Sequence, residues 1–192
     1  MKQVKVSQRT RAIAGGALVA ALALGGFGAY AASAAPAPAL AQAPAAQADA
    51  KTDAKNKNLT QSTHLSIDAA TKAAQTALDA AKKENQRVTV AVVDRNGNTI
   101  VTLRGDGAGP QSYDAAQRKA YTAVSWNAPT SVLAGRLAQT PTLKDIPGTL
   151  FLGGGAPVTA KNAPIAGIGV AGAPSGDLDE KFAQAGVAAL NK

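Results

Sequence analysis

The sequence predicts an α+β domain built on an antiparallel sheet, and three observations carry that prediction. Two strand-like runs, residues 88–93 and 99–104, flank Asp94-Arg95-Asn96-Gly97. Asn-Gly marks a hairpin because both residues tolerate φ > 0. Segments of helical period lie between and after the strand-like segments, which places helices against a sheet rather than in a bundle. Glycines then alternate through Ile165-Ala166-Gly167-Ile168-Gly169-Val170, so one face of that strand must meet another backbone, a helix or a ligand at close range.

Each element has its own signal. Ser66 caps a helix over residues 67–84, its hydroxyl accepting an unpaired first-turn N–H. Ile67, Ala70, Ala74, Leu78 and Ala81 form its apolar stripe. Residues 111–126 read as a second helix with Ala115, Ala116, Lys119, Ala120 and Ala123 inside it. Pro129 ends that helix, and Thr130 or Ser131 caps a short third one through residue 137. After a loop containing Pro141 and Pro147, Leu150-Phe151-Leu152 is extended, Gly153-Gly154-Gly155 interrupts it, and residues 156–159 resume it. Lys161-Asn162 turns the chain into the glycine-alternating strand, and residues 177–191 form a last amphipathic helix.

The N-terminus points outward from the cell. Lys2, Lys5, Arg9 and Arg11 precede an apolar run over residues 12–30, followed by Ala29-Tyr30-Ala31 and Ala32-Ser33-Ala34. Positive, apolar and small-residue regions in that order predict a cleaved secretory signal over residues 1–34. A membrane anchor competes, since the run approaches the ~20 residues that span a bilayer. Gly and Ala fill the run, however, and no charged cluster follows at once. Arg9-Thr10-Arg11 lacks the adjacent pair of a twin-arginine signal, which leaves the export route open. Residues 35–60, with Pro36, Pro38 and Pro44 among Ala and Gln, read as a disordered linker unable to offset its ordering entropy by burial. Residues 61–192 form one domain, secreted and either free or held at the cell wall.

Composition excludes several functions. Of 20 Lys and Arg, four lie in the signal, which leaves 16 against 12 acids in the exported part. Those charges are dispersed and aromatic residues make up 4% of the chain, so no nucleic-acid interface is indicated. The absence of cysteine removes disulfides, zinc ribbons and thiol catalysis.

The residues offer few chemical motifs. Asp177 and Glu180, three apart at a helix start, share a face and could hold a ferric or divalent ion loosely. The same acids would equally favour the helix dipole. His64 is the single histidine, a potential ligand or simply a solvated side chain. Gly153-Gly154-Gly155 lacks the Lys-Ser/Thr that follows in a phosphate loop, so it signals a kink or bulge. Arg104-Gly105-Asp106 matches an adhesion tripeptide by chance. With one histidine to serve as base, a hydrolase triad is not indicated. No tyrosine has an obvious basic neighbour, and Met1 leaves with the signal.

Taken in order, several segments resemble the GlcG/HbpS family of haem-binding proteins. They are Val90-Ala91-Val92-Val93-Asp94 with Gly97-Asn98, Arg104-Gly105-Asp106-Gly107-Ala108, Lys119-Ala120-Tyr121-Thr122-Ala123, Pro129-Thr130, Gly153-Gly154-Gly155 with Pro157, residues 167–172, Asp179-Glu180 and Ala185-Gly186. The resemblance covers residues 65–192. It implies a profilin-like fold with a five-stranded antiparallel sheet flanked by helices, and a homo-oligomer, an octamer. It implies haem and iron ions as ligands and a membrane sensor histidine kinase of a two-component system as partner. The implied function is to sense or buffer extracellular haem and redox stress, without enzymatic activity unless haem is degraded. The alternative is an enzyme or enzyme accessory of corrinoid or glycolate metabolism, which export disfavours. By resemblance, Thr149 in Pro147-Gly148-Thr149-Leu150 contacts the haem iron. Gln117 departs from the family, standing where an acid is expected in a carboxylate pair.

Overall fold

The computed structural model describes residues 54–191. The predicted signal, residues 1–34, and the linker through residue 53 lie outside them. Residues 54–64 are exposed throughout and contain one 3₁₀ turn, Asn56–Asn58.

From Ser66 onward the chain forms α1 (Ile67–Lys83), β1 (Thr89–Asp94), β2 (Thr99–Arg104), α2 (Gln111–Trp126), α3 (Thr130–Gly135), β3 (Gly155–Ala160), β4 (Ala163–Ala171) and α4 (Gly176–Ala188). The sheet is antiparallel throughout, in the order β2-β1-β4-β3. Its residues alternate between two helical layers, because successive side chains of a strand point to opposite faces. Val90, Val92, Ala166, Ile168 and Val170 pack with the alanines of α1 and with Phe182 and Ala183 of α4. Ala91 and Val93 face Ala116, Ala120 and Val124 of α2.

The alternating glycines are explained by α2. A Cβ on Gly167 would run into the Ala120 carbonyl, and one on Gly169 into the Ala116 carbonyl. Bare backbone on this face lets the helix lie directly on the sheet.

The turns are chemically explicit. The Asp94 carboxylate accepts the Asn96 and Asn98 amides at 2.8 and 2.9 Å, and Gly97 alone takes positive φ in that turn. The ladder shifts between Val92 and Val93, so the hairpin carries a bulge rather than the simple two-residue turn Asn-Gly suggests. Lys161 and Asn162 both adopt positive φ and join β3 to β4 directly. Ser66 and Ser175 cap α1 and α4 through Ala69 N and Leu178 N.

Four expectations are corrected. The sheet among the described residues has four strands, not five. Residues 150–152 stay irregular because the Leu150 amide donates to the Thr122 hydroxyl on α2 at 2.8 Å and Phe151 stacks edge-on against Trp126 at 5.2 Å. Those contacts tie the segment to α2 instead of a sheet edge. Ile67, assigned to the stripe of α1, is 56% exposed, since the buried face starts at Ala70. Finally, α3 is not capped by Thr130 or Ser131, because a carboxylate from α4 fills that role.

Candidate functional site

Residues three and four apart share a helix face, so α2 presents Gln117, Arg118 and Tyr121 together. Val93, Gly97 and Thr99 of the β1–β2 hairpin face them, and Gly148 closes the far side of a groove of about 270 Å³. Gly97 and Gly148 have φ of +89° and +78°, conformations that side chains rarely adopt. A Cβ at Gly97 would stand 2.8 Å from Tyr121 Cε2, and one at Gly148 3.6 Å from Cε1. The Tyr121 ring thus lies between two bare turns.

Arg118 is anchored beside it. Nη2 donates to the Thr149 carbonyl at 2.7 Å, while Nη1 stands 3.6 Å from the Asp114 carboxylate. The Arg118 side chain remains 41% exposed, leaving donors for a ligand. Thr149 itself is buried, and its hydroxyl donates to the Ile146 carbonyl at 2.7 Å. It therefore sits next to the groove and shapes it through its backbone oxygen. His64 is exposed, with a ring nitrogen 2.7 Å from the Ser62 hydroxyl, and does not line the groove. It lies near enough to Asp94 to favour that carboxylate's charge. Partial burial opposes ionisation of Asp94, but the Asn98 and Asn96 hydrogen bonds outweigh it and hold its pKa below the usual carboxylate range.

A second polar cluster lies inside the molecule. Lys119, one residue on from Arg118 and on the opposite face, donates to Asp179 at 2.8 Å and to the Val170 carbonyl at 3.0 Å. Both charged side chains are almost fully buried. Burial pushes the Asp179 carboxyl above its ordinary pKa, against the pull of Lys119 and the Ala173 amide. Glu180 accepts from the Ser131 amide at 2.9 Å, the Ser131 hydroxyl at 2.6 Å and the Gly154 amide at 3.3 Å. This network ties α2, α3 and the start of β3 to α4. It also answers the carboxylate pair expected at Asp177 and Glu180. Asp177 is exposed, whereas Glu180 is buried under α3 with both oxygens engaged, so the two are not brought together around an ion. Among the described residues no group of three or more His, Cys, Asp or Glu could hold a metal.

Comparison with known proteins places this arrangement. The family model "Haem degrading protein HbpS-like" matches residues 65–188. The chain belongs to this HbpS-like family. Its fold is similar to crystal structures of HbpS. One is a double glutamate-to-aspartate mutant from Streptomyces reticuli, 74% identical over 73% of this chain and 97% of that one, with a TM-score of 0.72. Another is titled simply HbpS, 75% identical over 71% and 96%, with a TM-score of 0.70. A PduOC structure described as a haem complex is 27% identical over 67% and 96%, with a TM-score of 0.62. No curated protein sequence matches.

The HbpS-like fold can be tested for haem on its own residues. Haem asks for apolar surface, a cation near its propionates and an iron ligand. The Tyr121 ring supplies a little of the first, because Val93 is only 2% exposed; Arg118 supplies the second and oxygen donors the third. At about 270 Å³ the groove falls just short of the roughly 300–1,000 Å³ that enclose a small molecule, so it can surround only part of a macrocycle. Tyr121 does have a basic neighbour, contrary to expectation, in Arg118 on the same groove. Their spacing of three on a predicted helix was the available signal, whereas the glycine turns facing them leave none.

Proposed function

We propose that this chain is an exported haem-binding protein that takes haem at the Tyr121–Arg118 groove and buffers or senses it outside the membrane. The observation that carries the reading is Arg118, a guanidinium pinned by the Thr149 carbonyl beside an aromatic groove. Membership of the HbpS-like family and the haem complex of a 27% identical relative support it. Haem, when bound, supplies an exchangeable redox centre. Arg118 would pair with a propionate, the groove would exclude water from one edge, and Thr149 or Tyr121 would offer oxygen to the iron.

The same reading makes the protein a homo-oligomer, an octamer by resemblance, that modulates a membrane sensor histidine kinase under haem or redox stress. Val132 and Leu152, each more than half exposed, leave apolar surface that a further copy could cover. Iron ions would bind weakly, at surface carboxylates such as Asp177, because hard cations favour about six oxygens. His64, exposed and outside the groove, has no part in this reading. Haem degradation is the second reading, favoured by the description of the family model.

Titration of the purified exported chain with hemin tests the proposal. A Soret band that saturates at a fixed stoichiometry is expected. Selective corrinoid binding without one would replace the reading with the corrinoid alternative. Loss of the band with bilin release under a reductant would establish degradation.

A further inference from the structure

We propose that residues 136–148 are a proteolytic modification site, cut after Arg136 or Lys144 by an endopeptidase of trypsin-like specificity without unfolding the domain. The site does not depend on haem. It needs only the export already proposed, which brings the chain to proteases outside the cell.

The segment spans two firmly held points. On one side, Glu180 of α4 accepts the Ser131 amide of α3 at 2.9 Å, and Leu133 is fully buried. On the other, α2 holds the Thr149 carbonyl through Arg118 and the Leu150 amide through Thr122. Between Leu133 and Thr149 no residue is buried. The amides of Gln139, Thr140, Leu143 and Ile146 donate only to the Arg136, Thr140 and Leu143 carbonyls of the segment itself. Among the described residues no ion pair involves it. Structure held by local bonds alone opens without the rest of the fold, and exposed loops of this kind are preferred places for nicking.

Arg136 and Lys144 are the two basic residues of the segment, and both are exposed. A protease must draw several residues on each side of the bond into extended form. Elsewhere that demand meets fixed backbone. Lys72, Lys82 and Lys83 lie inside α1. Arg87 adjoins the buried Val88, whose carbonyl accepts the Gly105 amide at 2.9 Å. The Arg95 amide donates to the Ile165 carbonyl at 3.1 Å, and Lys161 follows directly on the Ala160–Ala163 pair of β3 and β4.

The step is a hydrolysis. Water gives its hydroxyl to the Arg136 or Lys144 carbonyl carbon and its proton to the departing Leu137 or Asp145 amine; nothing is oxidised or reduced. The cut chain holds together because the pieces share the core. One keeps α1, β1, β2, α2 and α3, the other β3, β4 and α4. The β1–β4 ladder from Thr89–Ala171 to Asp94–Ala166 joins them, as do α1 packed on Phe182 and Ala183 and the Lys119–Asp179 pair at 2.8 Å. The change is local. Gly148, one wall of the groove beside Tyr121, passes from a fixed span to a free end.

Limiting trypsin on the full exported chain, read by intact mass and N-terminal sequencing, tests the site. Trimming at Lys55 and Lys57 shortens only the exposed N-terminal segment. Within the domain, the first new N-termini should be Leu137 or Asp145. The two pieces should elute together in gel filtration and separate in guanidinium. The double variant Arg136→Gln/Lys144→Gln should slow loss of the uncut domain by at least roughly tenfold at an unchanged melting temperature, whereas Arg95→Gln should not slow it. Protein from culture supernatant should carry the same new N-termini. First cuts after Arg87, Arg95 or Lys161 overturn the inference, as does a parent domain that resists trypsin as long as the double variant. Supernatant protein wholly uncut across residues 136–148 overturns it as well. Pieces that part without denaturant overturn the survival of the fold.

Discussion

Arg118 is held in place by a backbone oxygen, so its position survives changes in the side chain of Thr149. Replacing it by Gln removes the charge while keeping an amide near the same place. Hydrogen bonds to charged groups contribute about 1.5–3 kcal/mol, so Arg118→Gln should weaken hemin binding by roughly 10–100-fold, read from hemin release rates. The fold should stand, because the Arg118 side chain is partly exposed and its ion pair with Asp114 is long at 3.6 Å. Asp94 gives a pH prediction. Its carboxyl pKa in the fold lies below the ordinary 3.8, so the native state prefers the ionised form. Stability from Asp94 is then fully present above pH 3.8 and is lost as pH falls through the lower folded value. Melts of Asp94→Asn should lack that acid-side contribution, and equal acid profiles for parent and variant would contradict it. Arg118 and Tyr121 were readable as neighbours on one helical face. Their partners Gly97 and Gly148 come from distant turns, and no spacing announces that meeting.

At the scale of elements, the contact between α2 and β4 depends on absent side chains. Gly169→Ala would drive a methyl into the Ala116 carbonyl, and overpacking of this kind costs about 1–3 kcal/mol. Gly135 at the end of α3 is the contrast, with helical φ of −60° and nothing within 4 Å of an added Cβ. Gly135→Ala should stabilise by about 0.4–1 kcal/mol through the unfolded chain. Opposite shifts in melting temperature are expected from two changes of one methyl each. A second element-level prediction concerns α3, whose first turn is capped from α4. Glu180→Ala removes a cap worth about 0.5–2 kcal/mol and leaves the Ser131 and Gly154 amides without that acceptor. Asp177→Ala should cost only about 0.3–1 kcal/mol, the dipole contribution of an exposed acid. Equal losses in thermal melts would mean that the Glu180 contacts contribute nothing. The helix start and its three-residue spacing were legible; the burial of one acid beneath α3 was not, because α3 lies some fifty residues earlier, as the separation of 49 between Ser131 and Glu180 records.

For the whole molecule, export is the first expectation to check. N-terminal sequencing of protein from culture supernatant should begin after Ala31 or Ala34, and recovery of the intact chain from membranes alone would contradict a cleaved signal. Among the described residues no helix is long and apolar enough to cross a membrane. The sequence by itself determined the α+β class, the bounds of α2 and β2, the serine cap of α1, and the family, because turns, caps and periodicity are written in near neighbours. Even the close approach on β4 was implied, since alternate glycines mean that some backbone must come near. Only the tertiary structure decided that this backbone is α2, that the sheet stops at four described strands, and that Lys119 and Asp179, sixty residues apart, neutralise each other inside. It alone placed Tyr121 between two glycine turns and turned the Thr149 hydroxyl onto Ile146. Those outcomes depend on which surfaces meet across the fold. Local propensity sets the elements, and long-range packing selects which side chains are left facing a ligand.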